Sequence, residues 1–297
     1  MFRDSPFGLF LDLPTLKVQP QLLRSLMYAE TDHDRDDMFI MKVNGKLLHF
    51  GIREFAIITG LKCGMDSEFV SDPDSSNRLM TRYFNGQTKV PKTMLVSLFI
   101  DFKENKSLIE DGDVFKIALL YFISTFLFST QSNVAFVTKL HFDLVESGEY
   151  MNYPWGNVCF KNLLSSISHK LVNKPTYYRF GGFPLAIQVW FYECCSKVDP
   201  TVAKRIGNGI PRIFNWQTTS NTVYFNHLKT GMFKTYSNPV ILQANYFSYI
   251  NNTHFIHCFY YNANWSASTC IFVGSCFLPT FLRKRELSTF STRGFGR

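Results

Sequence analysis

The clearest pattern near the start of the chain is a pair of apolar runs separated by two turn residues. Residues 38–43 and 46–50 flank Asn44-Gly45, and both of these residues tolerate the positive φ angles of a type I′ turn. The pattern predicts a small β-hairpin at about residues 38–50.

Helical periodicity follows the hairpin and recurs along most of the chain. Ile52, Phe55 and Thr59 share one helical face, and Gly60 stands where a left-handed residue ends a helix. Asp113 is expected to cap a central helix that runs to Phe128. The predicted helices cover residues 19–29, 52–59, 78–83, 91–102, 113–128, 134–146, 157–171 and 183–198, and a polar surface loop covers residues 67–77.

Neither the helical period nor the strand period persists beyond Trp216. From about residue 219, Asn, Thr, Ser, Phe and Tyr are interleaved without a persistent period, and the last residues include Arg283-Lys284-Arg285. We therefore predict an α+β fold that is mainly α-helical. A single helical domain with one small hairpin would cover residues 7–217, and an irregular, poorly ordered basic tail would cover residues 218–297.

Composition predicts a folded, intracellular protein. Hydrophobic residues make up 46% of the 297 residues and aromatic residues 16%, which excludes general disorder. The longest apolar run, residues 114–128, contains Lys116 and is shorter than the ~20 residues of a membrane-spanning helix. The residues after Met1 do not resemble a secretory signal, and seven irregularly spaced cysteines do not indicate a disulfide framework. We expect no membrane association.

The net charge of +8 is unevenly distributed along the chain. Residues 1–150 carry 16 Lys/Arg and 20 Asp/Glu, whereas residues 151–297 carry 15 and 3. A basic second half is compatible with a nucleic-acid partner. The alternative is that single charges are spread over a solvated surface, because neither a dense cluster nor a nucleic-acid motif accompanies them.

Three groups of side chains have the composition of a reactive or metal site but lack its spacing. Cys194-Cys195 lie near the end of a predicted helix, where the helix dipole raises a thiol pKa. The polar loop 31–37 lacks the glycine and glutamate of a calcium loop, which favours a solvated connector. The third group, which lacks the paired spacing of zinc sites, comprises His254, His257, Cys258, Cys270 and Cys276. We predict no catalytic residue, no metal and no cofactor.

Aromatic and basic residues between positions 150 and 179 form the candidate interaction surface. Planar rings give a large contact area at a low entropic cost, and they stack on bases or grip a peptide. Such rings are also common in protein cores, so packing is the alternative interpretation. The candidate residues are Tyr150, Tyr153, Trp155, Lys161, Lys170, Lys174 and Arg179.

Three motifs in a fixed order resemble one plant family. The first is Asn44-Gly45-Lys46 before Phe50-Gly51-Ile52-Arg53-Glu54-Phe55-Ala56 and Thr59-Gly60-Leu61-Lys62-Cys63-Gly64. The second is Tyr153-Pro154-Trp155-Gly156, and the third is Gly181-Gly182-Phe183-Pro184-Leu185-Ala186-Ile187-Gln188-Val189-Trp190. Over about residues 7–217 the chain resembles the plant domain of unknown function numbered nineteen eighty-five. The resemblance implies an origin in Mutator-like transposable elements, which often encode this module upstream of a ubiquitin-like (SUMO-type) cysteine protease domain. It also implies a nuclear location, and the family has no assigned activity.

The residues and the resemblance together predict a non-enzymatic protein-interaction module. Residues 219–297 lack the His, Asp, Gln and Cys order of such a protease, since no Asp or Gln follows His254. Two alternatives stay open. One is a nucleic-acid-binding accessory factor, and the other is a truncated piece of a SUMO-type protease without its catalytic domain. The partner in the favoured case is a protein, and neither its identity nor the oligomeric state follows from the sequence.

Overall fold

Eight α-helices dominate the part of the chain that the structure describes. The structure is a computed structural model, and it describes residues 1–43, 45–64, 69–104, 111–129, 135–168, 179–195 and 198–220. The helices are α1 (Pro20–Tyr28), α2 (Ile52–Thr59), α3 (Arg78–Phe84), α4 (Lys92–Glu104), α5 (Asp111–Phe122), α6 (Lys139–Ser147), α7 (Trp155–Ile167) and α8 (Pro184–Cys194). The strands are β1 (Met38–Val43), β2 (Lys46–Gly51), β3 (Val90–Pro91), β4 (Phe136–Val137), β5 (Ala203–Arg205) and β6 (Trp216–Thr218).

The predicted fold class is confirmed, and the hairpin lies where the sequence places it. β1 and β2 are antiparallel, and Val43 pairs with Lys46, which leaves a two-residue turn. Gly45 has a φ of 79°, as that turn requires, whereas Asn44 lies outside the described residues. Two further antiparallel pairs, β3 with β4 and β5 with β6, were not predicted. They join only two or three residues each, too few to show a period of two in the sequence.

The described residues cluster into two compact units. Unit 1 contains residues 1–11 and 64–155, and unit 2 contains residues 12–63 and 156–220. The predicted domain 7–217 includes residues of both units. Its boundary with the tail stays a prediction, because residues 221–297 lie outside the described residues.

The core of unit 1 is built around α5. Ile117, Ala118 and Leu119 are fully buried, as expected for a helix that is apolar on nearly every side. The ring of Phe122 lies 5.4 Å from that of Phe2 and 5.2 Å from that of Phe7, measured between centroids. These rings attach the N-terminal segment to the helices of the unit.

The core of unit 2 is built around Phe50 of β2. Its ring centroid lies 6.4 Å from that of Phe55 in α2, 5.9 Å from that of Phe160 in α7 and 5.2 Å from that of Trp190 in α8. All four side chains are buried. The hairpin and these three helices therefore share one apolar core, which holds the first motif of the resemblance beside the third.

A buried polar network connects α8 to the segment before α1. The side-chain oxygen of Gln188 accepts a hydrogen bond from the backbone N–H of Gln19 (2.8 Å), and its amide nitrogen donates to the carbonyl of Lys17 (3.0 Å). The Tyr192 hydroxyl donates to the side-chain oxygen of Gln19 (2.5 Å). Because buried polar groups are costly without partners, this network explains the polar residue within an otherwise apolar helix.

The predicted role of Asp113 is wrong. The helix begins at Asp111, so Asp113 lies in its first turn and is not the N-cap. The α-helix also ends before Phe128, because residues 123–127 form a π-helical turn after α5. Asp113 is instead buried and accepts hydrogen bonds from Arg78 and Tyr83, which are tertiary partners that local sequence rules do not reveal.

Several predicted helix ends are also corrected. α6 begins at Lys139 and not at residue 134, because residues 136–137 pair with β3. The same pairing holds Pro91 in a strand, so α4 begins one residue later. α7 begins two residues before the predicted cap Asn157, and α8 ends at Cys194, short of the predicted residue 198.

Candidate functional site

The predicted aromatic residues lie in unit 1, and two of them are core side chains. Trp155 is 1% exposed and Tyr153 is 4% exposed, with ring centroids 4.6 Å apart. The indole nitrogen of Trp155 donates a hydrogen bond to the carbonyl oxygen of Tyr150 (2.8 Å). Tyr150 is half-buried, and burial raises the pKa of its hydroxyl. The loop before α7 therefore turns its rings inward, and Tyr150 alone keeps a partly exposed ring.

The predicted basic residues are distributed differently. Lys161 of α7 and Arg179 are exposed in unit 2. Lys170 and Lys174 lie outside the described residues. Whether the seven predicted residues act together as one interaction surface stays a prediction.

Lys161 lines a groove of about 430 Å³ within unit 2. One wall is the loop of residues 33–36, and the other is a face of α7 with the residue that follows it. The residues that line the groove are His33, Asp34, Arg35, Asp36, Lys161, Leu164, Ser165 and Ser168. We refer to this feature as the groove.

The loop of residues 31–37, which contains the loop wall, is joined to β1. Thr31 donates its backbone N–H to the carbonyl of Ile40 (3.0 Å), and Asp37 directly precedes the strand. Arg35 makes two hydrogen bonds of 2.6 Å to the carboxylate of Asp37, which lowers the pKa of that carboxyl. The backbone N–H of Arg35 donates to Nδ1 of His33 (3.2 Å). Hydrogen bonds within the loop therefore join Arg35 to Asp37 and to His33, while Asp34 and Asp36 are exposed.

The helix wall follows from the spacing of its residues. Leu164, Ser165 and Ser168 lie three, four and seven positions after Lys161. This spacing places the four residues on one helical face. Leu164 is 7% exposed and forms an apolar floor. The Ser165 hydroxyl donates to the carbonyl of Asn162 (3.0 Å), whereas the buried hydroxyl oxygen of Ser168 has no hydrogen-bond partner among the described residues.

The described thiols are not arranged as nucleophiles. Burial raises the pKa of Cys63 and of Cys195 to about 12, and it raises the pKa values of Cys159 and Cys194 as well. The sequence predicts a raised pKa for Cys194-Cys195 from the helix dipole, and the structure gives burial as its main cause.

No group of three or more metal-ligating side chains occurs among the residues that the structure describes. The histidines and cysteines of positions 254–276 lie outside these residues. In the described part of the chain, no helix has both the length and the apolar character that crossing a bilayer requires.

Sequence reasoning found Lys161 but missed the groove. Loop 31–37 reads as a solvated connector, and nothing in its local pattern indicates that it faces a helix more than a hundred residues later. The one sequence signal for the groove lies on α7. Polar residues at helical spacing surround Leu164 there, and an amphipathic pattern would assign this face to solvent.

Comparison with known proteins gives one result. A search of curated proteins finds no match, and a search of solved structures finds none either. Residues 27–166 match the family model DUF1985, described as a domain of unknown function. The match includes the loop wall, most of the helix wall and the first two of the three motifs, while the motif that begins at Gly181 lies beyond it. The comparison therefore shows a resemblance to the DUF1985 family of domains of unknown function over residues 27–166, which is slightly less than half of the chain.

Proposed function

We propose that this chain is a non-enzymatic protein-interaction module that binds a segment of another protein in the groove. The observation that carries this proposal is the groove itself, in which a braced loop faces a polar helix face across an apolar floor. A small apolar surface surrounded by fixed polar groups is typical of peptide-binding sites.

Charges of both signs favour a polypeptide over a nucleic acid as the occupant. Asp34 and Asp36 line the groove together with Lys161. A phosphate backbone placed there would meet two carboxylates, and this repulsion opposes the cation contacts on which nucleic-acid affinity depends. A polypeptide carries donors, acceptors and side chains of either charge, so it can match such a lining.

The geometry of the groove does not resemble a hydrolytic site. His33 directs Nε2 towards the carboxylate of Glu30, with 3.9 Å between the two atoms. Neither Ser165 nor Ser168 makes a hydrogen bond to His33. Nucleophilic catalysis by serine needs a base within hydrogen-bond reach of the hydroxyl, and this arrangement is absent from the groove as described.

The proposal is tested by peptide display against the full-length chain. Random twelve-residue peptides are selected on the immobilised protein, and the selected peptides are then tested against Lys161→Glu and against the matched control Lys46→Glu, which places the same charge change on the exposed end of β2. We expect Lys161→Glu to change binding at least about fivefold, with the direction set by the charge of the selected peptide, and Lys46→Glu to have less than about a twofold effect. Equal effects of both variants, or no selected peptide, would show that the groove is not a protein-binding site.

The wider setting is proposed from the family resemblance. We propose that the chain derives from a plant Mutator-like transposable element and acts within the nucleus, in a complex encoded by that element. Sequencing the full transcript tests the relation to a protease, because an in-frame continuation into a His, Asp, Gln and Cys domain would make this chain the accessory half of an enzyme. Imaging of a tagged full-length chain tests the location.

A further inference from the structure

We infer that the groove recognises a short extended segment of a partner protein that presents an arginine or lysine side chain to Asp34 and Asp36. This inference rests on the proposed function and adds the chemistry of the ligand to it.

The first support is the charge of the loop wall. Four aspartates occur within residues 32–37, and Arg35 is the single cation of that stretch. Arg35 is engaged with Asp37 through both of its hydrogen bonds. Asp34 has neither a hydrogen bond nor an ion pair with any described residue, although it lines the groove. A cationic side chain from a ligand would supply the missing countercharge.

The second support is independent of charge. Ser168 lines the groove, and its buried hydroxyl oxygen lacks a hydrogen-bond partner among the described residues. The neighbouring Ser166, by contrast, donates its hydroxyl to the carbonyl of Leu163 (2.7 Å). Because native proteins rarely leave a buried polar atom unpaired, such an atom in a groove indicates a position where a ligand donates or accepts a hydrogen bond.

The dimensions set the length of the ligand. Residues 161–168 rise by about 1.5 Å each along the helix face, so the wall is roughly 10 Å long. An extended chain advances about 3.3 Å per residue, and about three residues therefore span the wall. The side chain of Leu164 lies between the two polar ends and provides the apolar contact for the middle of the segment.

The test uses fluorescein-labelled hexa-arginine and hexaglutamate peptides with the full-length chain, and fluorescence anisotropy at low salt. Hexa-arginine should bind in the groove, whereas any binding of hexaglutamate to the basic second half should not depend on Asp34 and Asp36. The double variant Asp34→Asn with Asp36→Asn should weaken hexa-arginine binding at least about tenfold. The matched control, Asp74→Asn with Asp101→Asn, removes two exposed carboxylates outside the groove and should change binding less than about twofold. Equal effects of the double variant and the control would overturn the inference. Hexa-arginine would then be attracted by carboxylates anywhere on the chain and not by the groove.

Ser168→Ala separates recognition from stability. Loss of an unpaired hydroxyl should leave the thermal midpoint unchanged or slightly higher, while hexa-arginine binding weakens about two- to fivefold. A lowered midpoint with unchanged binding would show that the hydroxyl has a structural role and would remove this support.

Three other outcomes are informative. If charge reversal of Arg283, Lys284 and Arg285 strengthens hexa-arginine binding to the wild-type groove but not to the Asp34→Asn, Asp36→Asn double variant, the occupant is the basic segment of this chain. The inference that a partner protein supplies the segment would then be wrong. If display selects groove-dependent peptides that lack arginine and lysine, the proposed function holds and this inference fails. If no peptide depends on the groove, both fail.

Discussion

Gly182 shows how single residues determine this fold. It has a left-handed φ of 63°, and a Cβ placed there would collide with the carbonyl oxygen of Cys159 and lie 2.5 Å from the backbone nitrogen of Leu163. We predict that Gly182→Ala lowers the free energy of unfolding by about 2–4 kcal/mol, since conformational strain adds to displacement of α7. Gly86→Ala is the matched control, because Gly86 has a φ of 69° and no atom within 4 Å of such a Cβ. Thermal denaturation of both variants should show the larger loss of stability for Gly182→Ala. Equal losses of stability would contradict the close approach of Gly182 to the backbone of α7.

His141 is the residue for which the structure predicts a pH dependence. Its ring stacks on that of Phe128, with centroids 5.3 Å apart, and lies 5.4 Å from that of Trp155. Burial lowers its pKa from 6.5 to about 4. Between these values the unfolded chain binds a proton that the folded chain does not, so stability falls as the pH falls through this range, by up to about 3 kcal/mol.

His141→Phe should remove that part of the pH dependence. The variant keeps an aromatic ring between Phe128 and Trp155 but cannot be protonated. Denaturation measured between about pH 7.5 and pH 4.5 should show a wild-type midpoint that falls more steeply than that of the variant. Parallel curves would show that His141 does not remain neutral in the folded state.

At the scale of elements, a buried carboxylate joins the helices of unit 1. Arg78 of α3 donates to both oxygens of Asp113 in α5 and, through Nε, to Glu146 of α6 (2.9 Å). The Asp113 side chain is 2% exposed, whereas that of Arg78 is 43% exposed. Hydrogen bonding to Arg78 is the main cause that lowers the pKa of Asp113. This stabilisation is therefore present above the unfolded pKa of about 3.9 and is lost as the pH falls through the folded value.

We predict that Arg78→Ala lowers the free energy of unfolding at pH 7 by about 2 kcal/mol. The variant leaves a buried carboxylate with fewer partners, and this cost is smaller than for a fully buried pair because Arg78 itself is partly solvated. Arg35→Ala is the control, since the side chains of Arg35 and Asp37 are both more than half exposed. It should cost less than about 0.5 kcal/mol. Chemical denaturation that gave similar losses for the two variants would show that the hydrogen bonds from Arg78 to Asp113 contribute no more than an exposed ion pair.

The same elements show where prediction from sequence succeeds and where it stops. The hairpin, α1, α2 and α3 have strong local signals, and the structure confirms them within a few residues. Gly60 ends α2 with a φ of 70°, as predicted. The errors at α4 and α6 share one cause, which is the pairing of β3 with β4 across more than forty residues. Tertiary pairing of that kind overrides local propensity and leaves no periodic trace.

At the scale of the whole molecule, the candidate site depends on contacts between distant segments. Lys161 was predicted beside an aromatic loop, but its groove is completed by residues 33–36. Tyr153 and Trp155 are buried and therefore unable to serve as exposed stacking platforms in this conformation. Sequence alone could identify an exposed lysine on a helix, but only the fold shows which segment lies opposite it.

The uneven charge of the chain gives a test that separates protein binding from nucleic-acid binding. Residues 151–297 carry 15 Lys/Arg and 3 Asp/Glu, while the groove is lined by two aspartates. We predict that any affinity for labelled single-stranded DNA of about 20 nucleotides comes from the basic second half. Reversing Arg283, Lys284 and Arg285 to Glu should reduce the slope of log affinity against log salt by about 2, since each phosphate contact contributes ~0.7. Lys161→Glu should weaken DNA binding no more than Lys46→Glu does. If Lys161→Glu alone weakens it, nucleic acid occupies the groove, and the protein-interaction proposal is wrong.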